Sequence, residues 1–312
     1  MESLTQIIQN QKPNLKPVSI KRYTANLSKL CRDLDGDEEF KFLEDTKKVS
    51  EYLNSKGGST RKAYLNSIIV FLQATNGDDK LIKYYQSPRD TLNEDYKKQV
   101  ADNVPTEKEK EKLITLDEWD ELIEKLDKLT ATFYTKSPNA LTKTEYNTML
   151  FLLINCIHRH IPLRNDYSNM KVVRTKREAN QYLAKDPEHN VLLLSRMFKQ
   201  IYLVNYKTAG TYGTKVIPMP APIVSCVMRF LRVSKNNKWL ISNFKGNPLS
   251  TTEYSKFLIS NFEKYTGKKI GSSTLRKIYL SGKYGGVLED MKQDAHNMCH
   301  SVGTQKIYIK NI

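Results

Sequence analysis

The sequence predicts an α+β protein, mainly α, with an all-helical N-terminal region and a mixed C-terminal region that carries a small antiparallel sheet. Three observations predict it. Apolar and aromatic residues recur at helical spacing through the first part of the chain. A charged run with one proline and almost no apolar residue, VPTEKEKEK, then interrupts that pattern. Beyond it, helical segments alternate with short β-like runs. At 312 residues the chain is long enough for two domains with hydrophobic cores.

Residues 1–16 read as a flexible arm closed off by Pro13 and Pro17. From Ser19, which reads as an N-cap, Ile20, Tyr23, Leu27 and Leu30 fall on one helix face. A second helix starts near Ser59, after the breaker pair Gly57–Gly58, and gathers Ala63, Tyr64, Ser67, Ile68, Phe71 and Leu72 on one face. Segments near 45–54 and 78–100 complete a helical region over residues 17–103, and residues 104–112 read as a linker. In the remainder, residues 113–312, a helix over 115–129 opens with Thr115 and Glu118 as a T-x-x-E capping box. Residues 144–158 form a strongly apolar, buried helix. The β-like runs are 170–173, 191–194, 200–205 and 212–219, followed by helices over 221–234, 251–265 and from 273 to the end. No internal repeat is visible.

Charge narrows the function classes. Fifty Lys and Arg against 34 Asp and Glu give a formal net charge of +16, an excess that attracts polyanions, DNA or RNA first. Charge alone leaves a basic protein with no nucleic-acid role open. No segment approaches the roughly 18 apolar residues that span a membrane, and residues 1–16 lack the apolar run of a signal peptide. Cys31, Cys156, Cys226 and Cys299 are scattered, three of them in apolar surroundings, as expected of free thiols in a reducing compartment. Arg61 and Lys62 sit in the first turn of the second helix, where cations oppose the helix dipole. A phosphate backbone would favour them there; a solvated helix face is the other explanation.

Four short motifs carry chemistry. INCIHRHIPLRNDYSNMKV places Arg164 just after the buried helix, with Asp166 beside it. NYKTAGTYGTKVIPMP reads as a β-hairpin with Lys207 at the end of its first strand and Lys215 as its competitor. SSTLRKIYL puts Arg276 near a helix start, and HNMCHSVGTQKIYIK puts His300 eight residues before Tyr308. Singly each is weak: a lone Arg164 is more often a solvated or ion-paired residue, a single His300 is more often structural, and Tyr308 is one of 18 tyrosines. His296, Cys299 and His300, like His158 and His160, lack the further converging ligands that zinc needs, so no metal is expected.

The order of these motifs resembles the tyrosine recombinase/integrase family: Arg, hairpin Lys, His-x-x-Arg, His, then a nucleophilic Tyr. The resemblance covers roughly residues 110–312, and residues 17–103 match the family's core-binding domain in position and character. PLRNDY and HSVGTQKIYIK are similar in wording to integrases of eukaryotic viruses and mobile elements. The resemblance implies a site-specific recombinase that cuts and rejoins double-stranded DNA through a 3′-phosphotyrosine link. Tyr308 would attack, Arg164 and Arg276 would hold the non-bridging oxygens, Lys207 would protonate the departing 5′-oxygen, and His300 would bond a phosphate oxygen. Asp166 would fix the rotamer of Arg164. The reaction implies no cofactor, a homo-oligomer (a tetramer) on DNA, no membrane, and a location wherever the target DNA lies: a nucleus, a viral replication site or a prokaryotic cytoplasm. Ser273 departs from the family's His, and a hydroxyl carries no proton charge. The helix that many members carry beyond the tyrosine has no counterpart in the four residues after Tyr308. A type IB topoisomerase, and a catalytically degenerate DNA-binding protein, remain the alternatives.

Overall fold

The computed structural model of the chain describes residues 3–37, 39–101, 104–185 and 188–308. The protein is α+β and mainly α. It divides into two units, Met1–Pro105 and Thr106–Ile312, each with its own core.

The first unit holds α1 (Leu4–Gln11), α2 (Pro17–Asp33), α3 (Thr46–Asn54), α4 (Gly58–Ala74) and α5 (Asp79–Ala101). Residues 4–11 are therefore a helix and not a flexible arm. Ser3 Oγ accepts the Gln6 N–H as N-cap, and Ile8 is fully buried, with Leu4 and Ile7 packed against the same core. Leu4, Ile7 and Ile8 follow helical spacing over a length too short to stand out. The next helix begins at Pro17 rather than Ser19, because the fixed φ of proline suits the first helical position. Ile20, Leu27 and Leu30 are buried on it. α4 buries residues all round, Leu65 and Ile69 as well as Tyr64, Ile68 and Leu72, because α2 and α5 both pack on it.

The second unit opens inside the segment read as a linker. Glu107–Lys110 form a helical turn, α6, with a complete Thr106/Glu109 capping box, and the Glu109 carboxylate also pairs with Lys277. α7 (Leu116–Thr130) begins with the Thr115/Glu118 box, Thr115 N–H donating to Glu118 Oε2 at 2.7 Å and Glu118 N–H to Thr115 Oγ1 at 3.1 Å. α8 (Lys143–His160) is the central helix, buried from Tyr146 to His158 on nearly every face.

Four strands follow: β1 (Lys171–Val173), β2 (Val191–Leu194), β3 (Lys199–Leu203) and β4 (Lys215–Pro218), with α9 (Lys176–Leu183) between β1 and β2 and the short turn α10 (Ala209–Tyr212) between β3 and β4. The sheet order is β1-β2-β3-β4. β2–β3 and β3–β4 are antiparallel, but β1 and β2 are parallel, paired Val172↔Leu192. The sheet is thus mixed rather than antiparallel, since α9 supplies the crossover that a parallel pair requires. β2 is buried on both faces: Leu192 and Leu194 join the main core, while Val191 and Leu193 pack with Ala179 of α9.

α11 (Ala221–Val233) and α12 (Thr251–Thr266) pack with α8 in the core. The segment from residue 273 onward is two helices, α13 (Ser272–Asn297) and α14 (Val302–Tyr308), not one. The break is a Schellman closure: the Cys299 N–H bonds His296 O and the His300 N–H bonds Ala295 O, with Cys299 in the left-handed region at φ 55°.

Candidate active site

Pro162 stops α8, and residues 161–170 fold as a tight loop on the core. Tyr167 is buried beneath it and donates its hydroxyl to Ile161 O at 2.7 Å. This anchoring presents Arg164 to solvent and leaves Asp166 half-buried. Burial pushes the Asp166 pKa up, while the backbone amide and guanidinium of Arg164, and the guanidinium of Arg276, pull it down. Two arginines distant in sequence therefore act on one carboxyl. Among the described residues no ion pair joins Asp166 to Arg164 side chain to side chain. The Arg164 backbone amide and the charges of both guanidiniums all favour the ionised form of Asp166.

Arg276 rides on the second turn of α13, between the core residues Leu275 and Ile278. Its charge also bears on His158, at the end of α8. Burial chiefly, and Arg276 secondarily, push the His158 pKa down to about 3, so the ring is neutral. His158 Nε2 bonds the Tyr254 hydroxyl at 2.7 Å.

Two asparagines that the sequence did not single out hold this loop. Asn165 donates to Ser255 Oγ on α12 at 2.7 Å and accepts from Ser272 Oγ at the start of α13 at 2.7 Å. Ser272, not the exposed Ser273, is thus the serine bonded to the loop. Asn190 is nearly fully buried; it donates to Asp166 O at 3.1 Å and accepts the N–H groups of Val204 and Asn205, both at 2.9 Å. It ties the arginine loop to the chain that leads into Lys207.

Lys207 itself lies four residues past the end of β3, in the turn before α10, and is exposed. It is not at the strand end, because Asn190 draws residues 204 and 205 out of the ladder. Tyr206 next to it packs on the core and donates to Gly213 O at 2.7 Å. Lys215 opens β4, exposed, its Nζ 5.6 Å from the Tyr212 ring.

His300 and Tyr308 meet at the far end of α13, their rings 5.9 Å apart. Ser301 Oγ accepts the Thr304 N–H and starts α14. Tyr308, at its end, is 70% exposed. Among the described residues no hydrogen bond, ion pair or ring contact links this pair to Arg164, Lys207 or Arg276. Nor is any group of three or more His, Cys, Asp or Glu placed to hold a metal, and no helix is long and apolar enough to cross a membrane.

The first unit has a separate feature. Ser19, Arg22, Tyr23, Ser59, Lys62, Ala63 and Asn66 line an open groove of about 290 Å³. It opens at the start of α4, whose N-terminus has no side-chain cap, so free N–H groups and the dipole favour an anion there. Lys62 lines the groove. Arg61 is not among the residues that line it, and its Nε is buried without a hydrogen-bond partner. Arg22, the second cation of the groove, was not picked out in the sequence because it lies on another helix.

No protein-family model matches the chain, and no curated protein matches it. Among solved structures, a crystal structure of XerA recombinase is matched over 99% of this chain and 93% of that chain, with 13% identity and a TM-score of 0.34, a distant likeness.

Proposed function

We propose that the chain is a DNA strand transferase of the tyrosine recombinase type. The observation that carries this reading is the Arg164 loop, bonded through Asn165 to Ser272 at the start of the helix that bears Arg276 and through Asn190 to the segment that leads into Lys207. Two permanently charged guanidiniums suit a phosphodiester whose non-bridging oxygens gain charge during attack. Asp166 balances them until a phosphate takes its place. The Tyr308 oxygen would form the bond to phosphorus, and the 5′-oxygen would leave with a proton from Lys207. The phosphotyrosine keeps the bond energy, and attack by a 5′-hydroxyl reverses the step and rejoins the strand. The uncapped start of α4, with Arg22 and Lys62, would grip the duplex backbone.

Covalent capture tests the reading. On nicked duplex DNA drawn from the ends of its own genetic element, the protein should form an adduct that survives denaturing electrophoresis. Tyr308→Phe should bind the same DNA and form none. An adduct of normal yield from that variant overturns the assignment.

A further inference from the structure

α13 runs unbroken from Ser272 to Asn297. At about 1.5 Å of rise per residue, Arg276 and Asn297 stand about 30 Å apart along it. Tyr308 stays at the far end: its ring lies against His300, whose N–H closes the last turn of α13 on Ala295 O. An arginine and a tyrosine side chain together do not bridge that span. In this arrangement the hydroxyl cannot reach a phosphate held by Arg164 and Arg276.

The middle of the same helix contains three glycines with different reasons to be there. At Gly282 a Cβ would fall 2.3 Å from Leu116 Cδ1, so close packing of α7 explains it. At Gly285 and Gly286 a Cβ would meet nothing within 4 Å, and neither has a positive φ. Nothing in the packing of α13 asks for glycine at either position, and each weakens a helix interior relative to alanine. Around them Leu280, Tyr284 and Val287, one stripe at i, i+4 and i+7, are exposed. A helix that always stood in water would gain nothing from that stripe.

We propose that Gly285 and Gly286 are positioning residues, the hinge at which α13 breaks to swing residues 287–308 back and bring His300 and Tyr308 to the arginine site. The inference rests on Tyr308 as nucleophile and adds how it is delivered. Adjacent glycines are a recognised cause of sharp helix bends, and hinge residues sit away from the chemistry they permit. Folding back covers Leu280 and Tyr284 with the returning segment, Val287 included, which offsets the helix hydrogen bonds broken at the hinge.

The test is the double variant Gly285→Ala/Gly286→Ala in the full chain. Its melting temperature should equal or exceed that of the parent, because the alanines fit the straight helix. DNA affinity should be unchanged, and covalent adduct should fall by about a hundredfold or more, as misplaced reacting atoms cost that much. Higher stability with lower reactivity is a signature that a merely structural pair of glycines would not give. Amide exchange provides a second readout: on adding nicked duplex DNA, peptides spanning residues 280–290 should lose protection in the parent and keep it in the variant. Full adduct yield from the alanine variant overturns the hinge. So does adduct formation by a mixture of Tyr308→Phe and Arg276→Ala chains well above the level of either variant alone, since the nucleophile would then cross between copies. If the parent forms no adduct but still opens at 280–290, the hinge stands and the tyrosine chemistry fails.

Discussion

Arg164→Ala and Arg276→Ala should each slow adduct formation by roughly 10²–10³-fold, the usual loss on deleting one transition-state donor. Lysine at either position should restore little, because the two-pronged guanidinium is gone; full activity in a lysine variant contradicts the assigned role. These arginines were singled out in the sequence because a short motif surrounds each of them. Asn165, Asn190 and Ser272 were not, since a buried amide looks like any loop asparagine until its partners appear, 14 to 107 residues away. His158 was noticed in sequence only as half of an H-R-H pair, yet it makes a testable demand on pH. Its folded-state pKa, pushed down to about 3, lies below the ordinary 6.5. The unfolded chain therefore binds the extra proton between those values, and stability drops as pH falls through that window. His158→Gln should flatten the dependence. Urea midpoints at pH 5 and pH 7 that shift as much in the variant as in the parent would assign the slope to other groups.

At the scale of elements, the legible ones announce themselves by periodicity or by a cap. The Thr115/Glu118 box and the apolar run of α8 are where the sequence places them. The Thr106/Glu109 box carries the same signature, but the charged run around it hid the helix turn. The parallel partner of β2 was not legible at all, because a short apolar strand states that it is buried and not which way its neighbour runs. α1 gives the plainest test. Ile8→Ala should destabilise the first unit by about 2–5 kcal/mol, the cost of emptying a filled core position, whereas in a flexible arm the substitution would be silent. Chemical denaturation of the full chain, followed by a probe in the first unit, separates the two. The end of α13 gives the opposite sign. Cys299 holds a left-handed conformation at a cost of about 1–2 kcal/mol for a residue with a side chain. Cys299→Gly should therefore slow amide exchange in the last turn of α13, and faster exchange there would count against the Schellman closure.

For the whole molecule, each unit owns its core, so a fragment beginning at Thr106 should fold alone and melt cooperatively. Its plot of log K against log salt on duplex DNA should be shallower than that of the full chain, by about 0.9 for every phosphate that the first unit would have neutralised. Arg22→Ala/Lys62→Ala in the full chain should flatten the slope and weaken target and random DNA alike, as side chains that position the duplex without reading its bases do. Arg61→Ala should change it less, since Arg61 does not line the groove. An unchanged slope in the fragment would give the first unit a task other than gripping DNA. Which cations share a groove depends on how α2 and α4 pack, which no spacing along the chain reveals.

Two separate cores also set an order of events during translation. The first unit is wholly helical, and chains whose packing is mostly local in sequence fold in microseconds to milliseconds. A ribosome adding roughly 5–20 residues each second needs many seconds more to reach the last tyrosine. The basic groove thus exists on the nascent chain well before Tyr308, the proposed nucleophile, is made. If that groove grips DNA as proposed, a gene interrupted in its second half would still yield a folded fragment that competes with the intact protein for DNA.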